Sequence, residues 1–176
     1  TVQSRVDGQL LRIDFDEGQW VEKGQLLAEI DSEPYRIRLA QAEGQFRQNE
    51  AQVQSARADL ERFQQLYEKK LVTSQQMEAQ QALVQQREGA LASDQAAAEN
   101  AGLQLAYTKI EAPIAGRLGL RRVDVGNLIR ANSTTGLVSI TQTRPIAVMS
   151  TVPEVDLPKV LEPLRAGEQL TVEAWD

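Results

Sequence analysis

Two different periods of hydrophobic and polar residues divide this chain. From Val2 to Ile30, apolar residues alternate with polar ones or come in short pairs, and glycines interrupt the pattern, which predicts three or four short β-strands. The stretch VDGQLLRIDFDEG ends at Gly18 and returns as IAGRLGLRRVDVG, ending at Gly126. The chain therefore contains two copies of one short β unit, separated by a long segment of another kind.

The separating segment begins where the period changes to alternating three and four residues. The sequence DSEPY predicts a helix start, with Ser32 as N-cap and Pro34 in the first turn. Nine positions then follow the spacing of a coiled-coil seam, which predicts a helix with one narrow apolar stripe: Leu39, Ala42, Phe46, Asn49, Val53, Ala56, Leu60, Phe63 and Tyr67.

A second helix of similar length is predicted to run back along the first. The stretch KKLVTSQQ interrupts the seam and predicts a chain reversal, with Thr73 or Ser74 capping the second helix. Its predicted seam repeats every seven residues, with three flanking residues in support: Met77, Val84, Leu91, Ala98 and Leu105, flanked by Leu83, Ala90 and Ala97. Two helices of roughly 35 residues at ~1.5 Å per residue form a hairpin on the order of 50 Å tall.

The second β copy runs from TKIEAPIAG to about Ile140, and we expect it to share one core with the first copy. Each copy exposes an apolar face that only the other covers, so neither half is expected to fold alone. The residues expected in that common core are Val6, Leu10, Ile13, Leu27, Ile30, Ile114, Leu118, Val123, Ile129, Val138 and Ile140. The remaining segment predicts a strand to Val152, a short helical stretch from Pro153 to Arg165, and a last strand in QLTVEAW.

Composition excludes several classes of function. The net charge is −6 and the basic residues are scattered among acids, which argues against a nucleic-acid partner. The sequence has no histidine and no cysteine, which removes the usual zinc ligands and thiol nucleophiles. We therefore expect no catalytic residues, no metal site and no cofactor.

The carboxylates in the first copy do not change that expectation. An acid/base pair could be sought among Asp14, Asp16 and Glu17, or between Asp31 and Glu33. Their positions in alternating strands or at a helix start instead predict solvated faces and interaction with the helix dipole. Because the chain opens on TVQSRV, inside a strand-like pattern, we expect a targeting segment to lie outside it.

The chain resembles the periplasmic adaptor subunits, or membrane fusion proteins, of Gram-negative tripartite multidrug efflux pumps of the resistance-nodulation-division (RND) class. The match is carried by SRVDGQLLRIDFDEGQWVEKGQLLAEID, TKIEAPIAGRLG and TQTRPIAVMSTVPE. The resemblance implies an elongated α+β chain of several modules. It assigns residues 1–33 and 110–141 to a split lipoyl-like β-sandwich, 34–109 to an inserted antiparallel coiled-coil hairpin, and 142–176 to the start of a β-barrel domain.

The resemblance also implies partners and a docking site. Adaptors of this family link an inner-membrane RND transporter, here most similar to pumps with two different transporter subunits, to an outer-membrane channel. They form homo-hexamers in the periplasm and attach to the inner membrane, in this case through a segment outside the sequence. The hairpin tip docks on the channel through an Arg, a Leu and a Ser, which correspond here to Arg62, Leu66 and Thr73, with Ser74 sharing the role of Thr73.

Two other functions remain open at this point. The same modules occur in adaptors of ABC-type exporters and of type I secretion systems. Lipoyl and biotinyl carrier domains share the β repeat, but they present a modifiable lysine within Asp-Lys-Ala or Met-Lys-Met at the turn between the halves. No such triplet occurs here, and the hairpin occupies that turn.

Overall fold

Seven short strands and three helices make up the described part of the chain. The computed structural model describes residues 1–131, 133, 136–142, 144, 151, 153 and 157–165. The strands are β1 (Gly8–Ile13), β2 (Trp20–Val21), β3 (Leu26–Ile30), β4 (Lys109–Glu111), β5 (Gly116–Leu118), β6 (Leu128–Ile129) and β7 (Ile140–Thr141). The helices are α1 (Glu33–Glu68), α2 (Ser74–Ala106) and α3 (Leu157–Arg165).

The chain divides into two units, Thr1–Thr143 and Arg144–Asp176. The first unit holds all seven strands and both long helices. In the second, α3 lies within the stretch predicted to be helical. The strands predicted to end at Val152 and to occupy QLTVEAW lie outside the described residues.

The two β copies are interleaved in two antiparallel sheets. One sheet has the order β4-β3-β1-β6 and the other the order β2-β5-β7, so strands of both copies occur in each. In the first sheet Gly8 pairs with Ile129, and in the second Gly116 pairs with Val21. The first strand of each copy therefore pairs with the second strand of the other, which gives the two copies an approximate two-fold relation.

Backbone hydrogen bonds repeat this symmetry at equivalent residues. The Leu10 N–H donates to the Asn127 carbonyl at 2.9 Å, and the Leu118 N–H donates to the Gln19 carbonyl at 2.9 Å. Antiparallel pairing also joins Leu10 to Ile30 within one copy and Leu118 to Ile140 within the other. The repeated sequence thus encodes one ladder pattern twice.

One hydrophobic core is shared by the two copies. Leu10, Leu27 and Ile30 are almost completely buried, and Leu118, Ile129 and Val138 from the second copy belong to the same cluster. Ile13, Val123 and Ile140 pack against it with partial burial. The predicted core is wrong only at Ile114, which is 40% exposed because it lies in the turn between β4 and β5 and not in either strand.

The helices α1 and α2 are antiparallel and contact each other along their length. The Asn49 side chain donates a hydrogen bond to Asp94, while Arg57, further along α1, donates to Glu88, which comes earlier in α2. Their 36 and 33 residues correspond to about 54 and 50 Å at ~1.5 Å per residue. The predicted stripe of α1 is at least half-buried everywhere except at Tyr67, which is 45% exposed at the end of the helix.

The flank predicted for α2 is wrong. Leu83, Ala90 and Ala97 are exposed, and half-buried positions between the predicted seam residues include Glu88 and Asp94. These carboxylates accept hydrogen bonds from α1, so polar pairs between the helices complete the contact that the apolar flank was expected to make. A pattern based only on apolar residues cannot detect such a seam.

The start of α1 also differs in detail from the prediction. Ser32 is at the N-cap position and Pro34 is in the first turn, but the Ser32 side chain makes no capping hydrogen bond. The Asp31 carboxylate instead accepts from the Glu33 N–H at 3.0 Å. Since Ser32 has helical backbone angles, its side chain is not directed at the first free N–H groups.

The first glycine of each copy is required by close packing, which leads to a stability prediction. A Cβ on Gly116 would lie 2.6 Å from the Thr141 carbonyl oxygen, a backbone atom that cannot move aside, whereas Gly89 in α2 has open space around it. We expect Gly116→Ala to lower the free energy of unfolding by about 1–3 kcal/mol. The control Gly89→Ala should raise it by up to about 1 kcal/mol, because alanine favours helix. Urea denaturation measures both, and a Gly116→Ala variant as stable as the parent would contradict this packing.

Candidate docking site at the helical tip

The four residues predicted to form a docking site all lie at the end of the hairpin remote from the sheets. Arg62 and Leu66 are in the last two turns of α1, and Thr73 and Ser74 are at the beginning of α2. All four residues are exposed, with Leu66 at 37%. The short connection between the helices brings them to one end of the molecule's first unit.

The end of α1 is closed by backbone hydrogen bonds that fix Leu66. The Leu71 N–H donates to the Leu66 carbonyl at 2.9 Å, and the Lys70 N–H donates to the Tyr67 carbonyl at 2.8 Å. Lys70 has a left-handed φ of 59°. This is the pattern of a Schellman motif, in which glycine usually occupies the left-handed position. The backbone that presents Leu66 is therefore tied to the turn.

Thr73 caps α2 through a reciprocal pair of hydrogen bonds. Its hydroxyl accepts from the Gln76 N–H at 3.3 Å, and its own N–H donates to Gln76 Oε1 at 3.0 Å. This capping box satisfies two backbone donors that the helix start leaves free. The prediction that Thr73 or Ser74 caps the second helix is thus confirmed for Thr73, and Ser74 is the first residue of the helix.

Arg62 forms an ion pair within its own helix. Its guanidinium donates to the Asp59 carboxylate, and the Arg62 side chain remains 73% exposed. Ion pairs this exposed contribute about 0–1 kcal/mol, so a partner could replace Asp59 at little cost. The planar guanidinium is well suited to carbonyl or carboxylate acceptors.

Two further apolar side chains enlarge the exposed tip. Tyr67 is 45% exposed and Leu71 is 68% exposed, on either side of the left-handed residue. The sequence pattern predicts Tyr67 in the seam and Leu71 only in the chain reversal. The seam spacing continues to the end of α1, where α2 no longer covers it. Spacing alone therefore does not distinguish the exposed Tyr67 from the seam residues that pack against α2.

The groups exposed at the tip are suited to contact with another molecule. The tip combines a guanidinium, exposed apolar side chains and hydroxyls. In the described residues, no group of three or more Asp or Glu side chains is placed to hold a metal ion. None of the helices in that part of the chain has the length and apolarity needed to cross a membrane.

Comparison with known proteins agrees with an adaptor fold. Residues 1–141 match the family described as RND MFP, barrel-sandwich hybrid domain. The chain belongs to this family of RND membrane fusion proteins, whose members are non-enzymatic adaptors.

Curated relatives extend the match over the whole sequence. The chain is 52% identical over 176 residues to the multidrug resistance protein MdtA of Cronobacter turicensis and 51% identical to MdtA of Escherichia coli O7:K1. Each alignment covers 100% of this chain and 42% of the relative, so the chain spans less than half the length of these proteins.

Solved structures show the same fold. A putative efflux transporter from Bacteroides eggerthii has a TM-score of 0.51 at 26% identity, covering 81% of this chain and 39% of that one. The membrane fusion protein Spr0693 from Streptococcus pneumoniae has a TM-score of 0.57 at 16% identity, covering 80% and 63%. At 16% identity the likeness to Spr0693 concerns the fold alone.

The capping box at the tip gives a testable prediction. Thr73→Ala removes the side-chain acceptor of the Gln76 N–H, and we expect it to destabilise the hairpin by about 0.5–2 kcal/mol. Thr73→Ser keeps the hydroxyl and should stay within about 0.5 kcal/mol of the parent. Thermal unfolding followed by the helical circular dichroism signal measures both. Equal losses in the two variants would show that the hydroxyl does not act as a cap.

Proposed function

We propose that the protein is the periplasmic adaptor of a tripartite multidrug efflux pump. It would link an inner-membrane RND transporter to an outer-membrane channel without catalysing a reaction. The observation that carries the proposal is an antiparallel hairpin, about 50 Å long, whose far end exposes Arg62, Leu66 and a hydroxyl-bearing turn. Such a tip can meet another protein end-on at a distance from the β unit.

The family and the curated relatives support this proposal. Membership of the RND membrane fusion family gives the pump class, and the relatives are named multidrug resistance proteins. We propose further that the transporter consists of two different subunits and that the adaptor assembles as a homo-hexamer. The protein would act in the periplasm and be attached to the inner membrane through a segment outside this sequence.

We also propose a domain assignment for the chain. Residues 1–33 and 110–141 would form the lipoyl-like domain, 34–109 the coiled-coil hairpin, and 142–176 the start of a β-barrel domain. The interleaved sheets with one core and the long antiparallel helices support the first two assignments. Residues of the third lie largely outside the described part of the chain.

Each tip residue would make a different kind of contact with the channel. Leu66 offers a compact apolar contact and Arg62 offers donors for carbonyls or carboxylates on the channel. Because the Thr73 hydroxyl is engaged in the cap, Ser74 would supply the more accessible hydroxyl. A ring of such small contacts, repeated in each copy of an oligomer, gains strength from avidity.

We expect Leu66→Ser and Arg62→Asp each to abolish efflux. Stability should change by only about 0.5 kcal/mol, since both residues are exposed. The chain offers matched controls at the hairpin base: Leu103, 54% exposed, and Arg36, which pairs with Glu33 as Arg62 pairs with Asp59. Leu103→Ser and Arg36→Asp should retain efflux. Drug-susceptibility assays with circular dichroism of the same variants test this, and full efflux in both tip variants would refute the site.

Substitutions inside the seam should lower stability directly and lower efflux only as a consequence. Leu60 and Phe63 are half-buried against α2. Leu60→Ala or Phe63→Ala should first lower the melting temperature, with a loss of about 1–3 kcal/mol in the free energy of unfolding, because each side chain is only partly buried. Efflux should fall only as far as the folded fraction falls, which separates loss of docking from loss of structure.

A second adaptor class must be distinguished by its partners. ABC-type exporters and type I secretion systems use adaptors built from the same modules. The family match favours the RND class. Copurification from membranes with mass spectrometry of the bound proteins decides the matter, because an ABC transporter in place of an RND transporter would overturn the proposal.

The carrier-domain alternative predicts a covalent cofactor, and we expect none. The turn that a lipoylating or biotinylating enzyme grips is replaced here by α1 and α2. Intact mass spectrometry of the protein from cells with active lipoylation and biotinylation should give the unmodified mass. A mass increase matching lipoate or biotin on any lysine would revive that alternative.

A further inference from the structure

The hairpin is joined to the sheet by two very short links. Strand β3 ends at Ile30 and α1 begins at Glu33, while α2 ends at Ala106 and β4 begins at Lys109. Strands β3 and β4 are neighbours, with Glu29 paired to Lys109. The two helices therefore leave the sheet side by side, and the contacts at their bases determine the angle at which they leave.

A tyrosine at the base of each helix contacts the same N-terminal segment. The Tyr35 side chain in the first turn of α1 is 9% exposed, and its hydroxyl donates to the Asp7 carbonyl at 2.6 Å. Tyr107, the C-cap of α2, lies with its ring 4.8 Å from the Arg5 guanidinium, a cation–π distance. Arg5 and Asp7 are separated by one residue, so residues 5–7 reach both helices.

The N-terminal segment is itself held in place. The Ser4 hydroxyl donates to the Val6 carbonyl at 2.5 Å and accepts from the Val6 N–H at 3.1 Å, and both residues are buried. The Asp7 carboxylate accepts from the Ala131 N–H of the second copy at 2.6 Å. The segment thus has a local turn of its own and a connection to the opposite half of the β unit.

We propose that residues Ser4 to Asp7 form a two-point clamp that sets the tilt of the hairpin, with Tyr35 and Tyr107 as positioning residues. One contact holds the base of α1 and the other the base of α2, so a tilt in either direction strains one of them. A helix of 36 residues is a lever of about 54 Å, and a tilt of about 5° at its base moves the tip by about 5 Å. Small polar contacts at the base therefore have a large effect on where Arg62 and Leu66 lie.

The importance of the hairpin orientation for docking rests on the proposed function. The orientation itself is a property of this chain and does not depend on that function. It can be measured on the intact protein without a partner, by electron–electron distance measurements between spin labels. The sequence contains no cysteine, so introduced cysteines are labelled uniquely. One label replaces Glu68 at the tip and the other replaces either Lys23 or Asp16, two exposed residues in different turns of the β unit.

The variants remove one contact at a time. Tyr35→Phe keeps the buried ring and removes only the hydroxyl, and Arg5→Gln removes the cation at an exposed position. Tyr67→Phe is the matched control, because Tyr67 lies in the last turn of the same helix and is 45% exposed. Arg5→Lys keeps a cation and serves as the rescue variant.

We expect Tyr35→Phe and Arg5→Gln each to broaden or shift at least one distance distribution by about 1–2 Å, because a tilt moves the tip mostly across the line that joins the two labels, and we expect a larger change in the double variant. Tyr67→Phe should match the parent, and Arg5→Lys should lie between Arg5→Gln and the parent. Helix content should be unchanged in all of them. Distributions in the double variant as narrow as in the parent, for both reference labels, would overturn the clamp. Loss of efflux in these variants with unchanged distances would also contradict the clamp. If the distances change but the protein does not bind an outer-membrane channel, the clamp is supported and the proposed adaptor function is contradicted.

Discussion

The backbone pairing between the two β copies is the interaction on which the rest of this structure depends. The Gly126 N–H donates to the Leu10 carbonyl at 2.8 Å, and the Gly18 N–H donates to the Leu118 carbonyl at 3.1 Å. Each copy thus completes the ladder of the other at a turn where glycine has a left-handed φ. Because neither copy buries its apolar face alone, the long insert must leave and return at points that keep the two copies in register.

That requirement explains where the hairpin is placed. Strands β3 and β4 are adjacent and antiparallel, so the chain leaves and re-enters the sheet at neighbouring positions. Antiparallel helices also begin and end side by side, which makes them a suitable insert between such strands. The β unit keeps a closed core, while the helices carry exposed chemistry about 50 Å away.

Much of this arrangement could be predicted from sequence, and the misses have physical causes. The glycine repeat and the strand alternation predict the core that the two copies share, because burial on one face leaves a period of two, whereas the interleaving of their strands is seen only in the structure. The apolar stripe of α1 is equally predictable from its spacing. The side of α2 that carries Glu88 and Asp94 is not, since these residues contact α1 by accepting hydrogen bonds and not through apolar side chains. At the tip, the position of Arg62 and Leu66 followed from the family resemblance, whereas the left-handed turn at Lys70 carries no glycine to signal it.

The connection of the hairpin to neighbouring strands also determines how the molecule bears mechanical load. A pull on the tip along the strand direction reaches β3 and β4 together, because both helices continue directly from them. Among the described strands β4 pairs only with β3, so the force passes to the ladder between β3 and β1. The hydrogen bonds of an antiparallel ladder lie perpendicular to the strands, and such a pull loads several of them in shear at the same time. Extraction of the hairpin is therefore resisted by the ladder between β3 and β1, in which the fully buried Leu10 and Ile30 pair with each other.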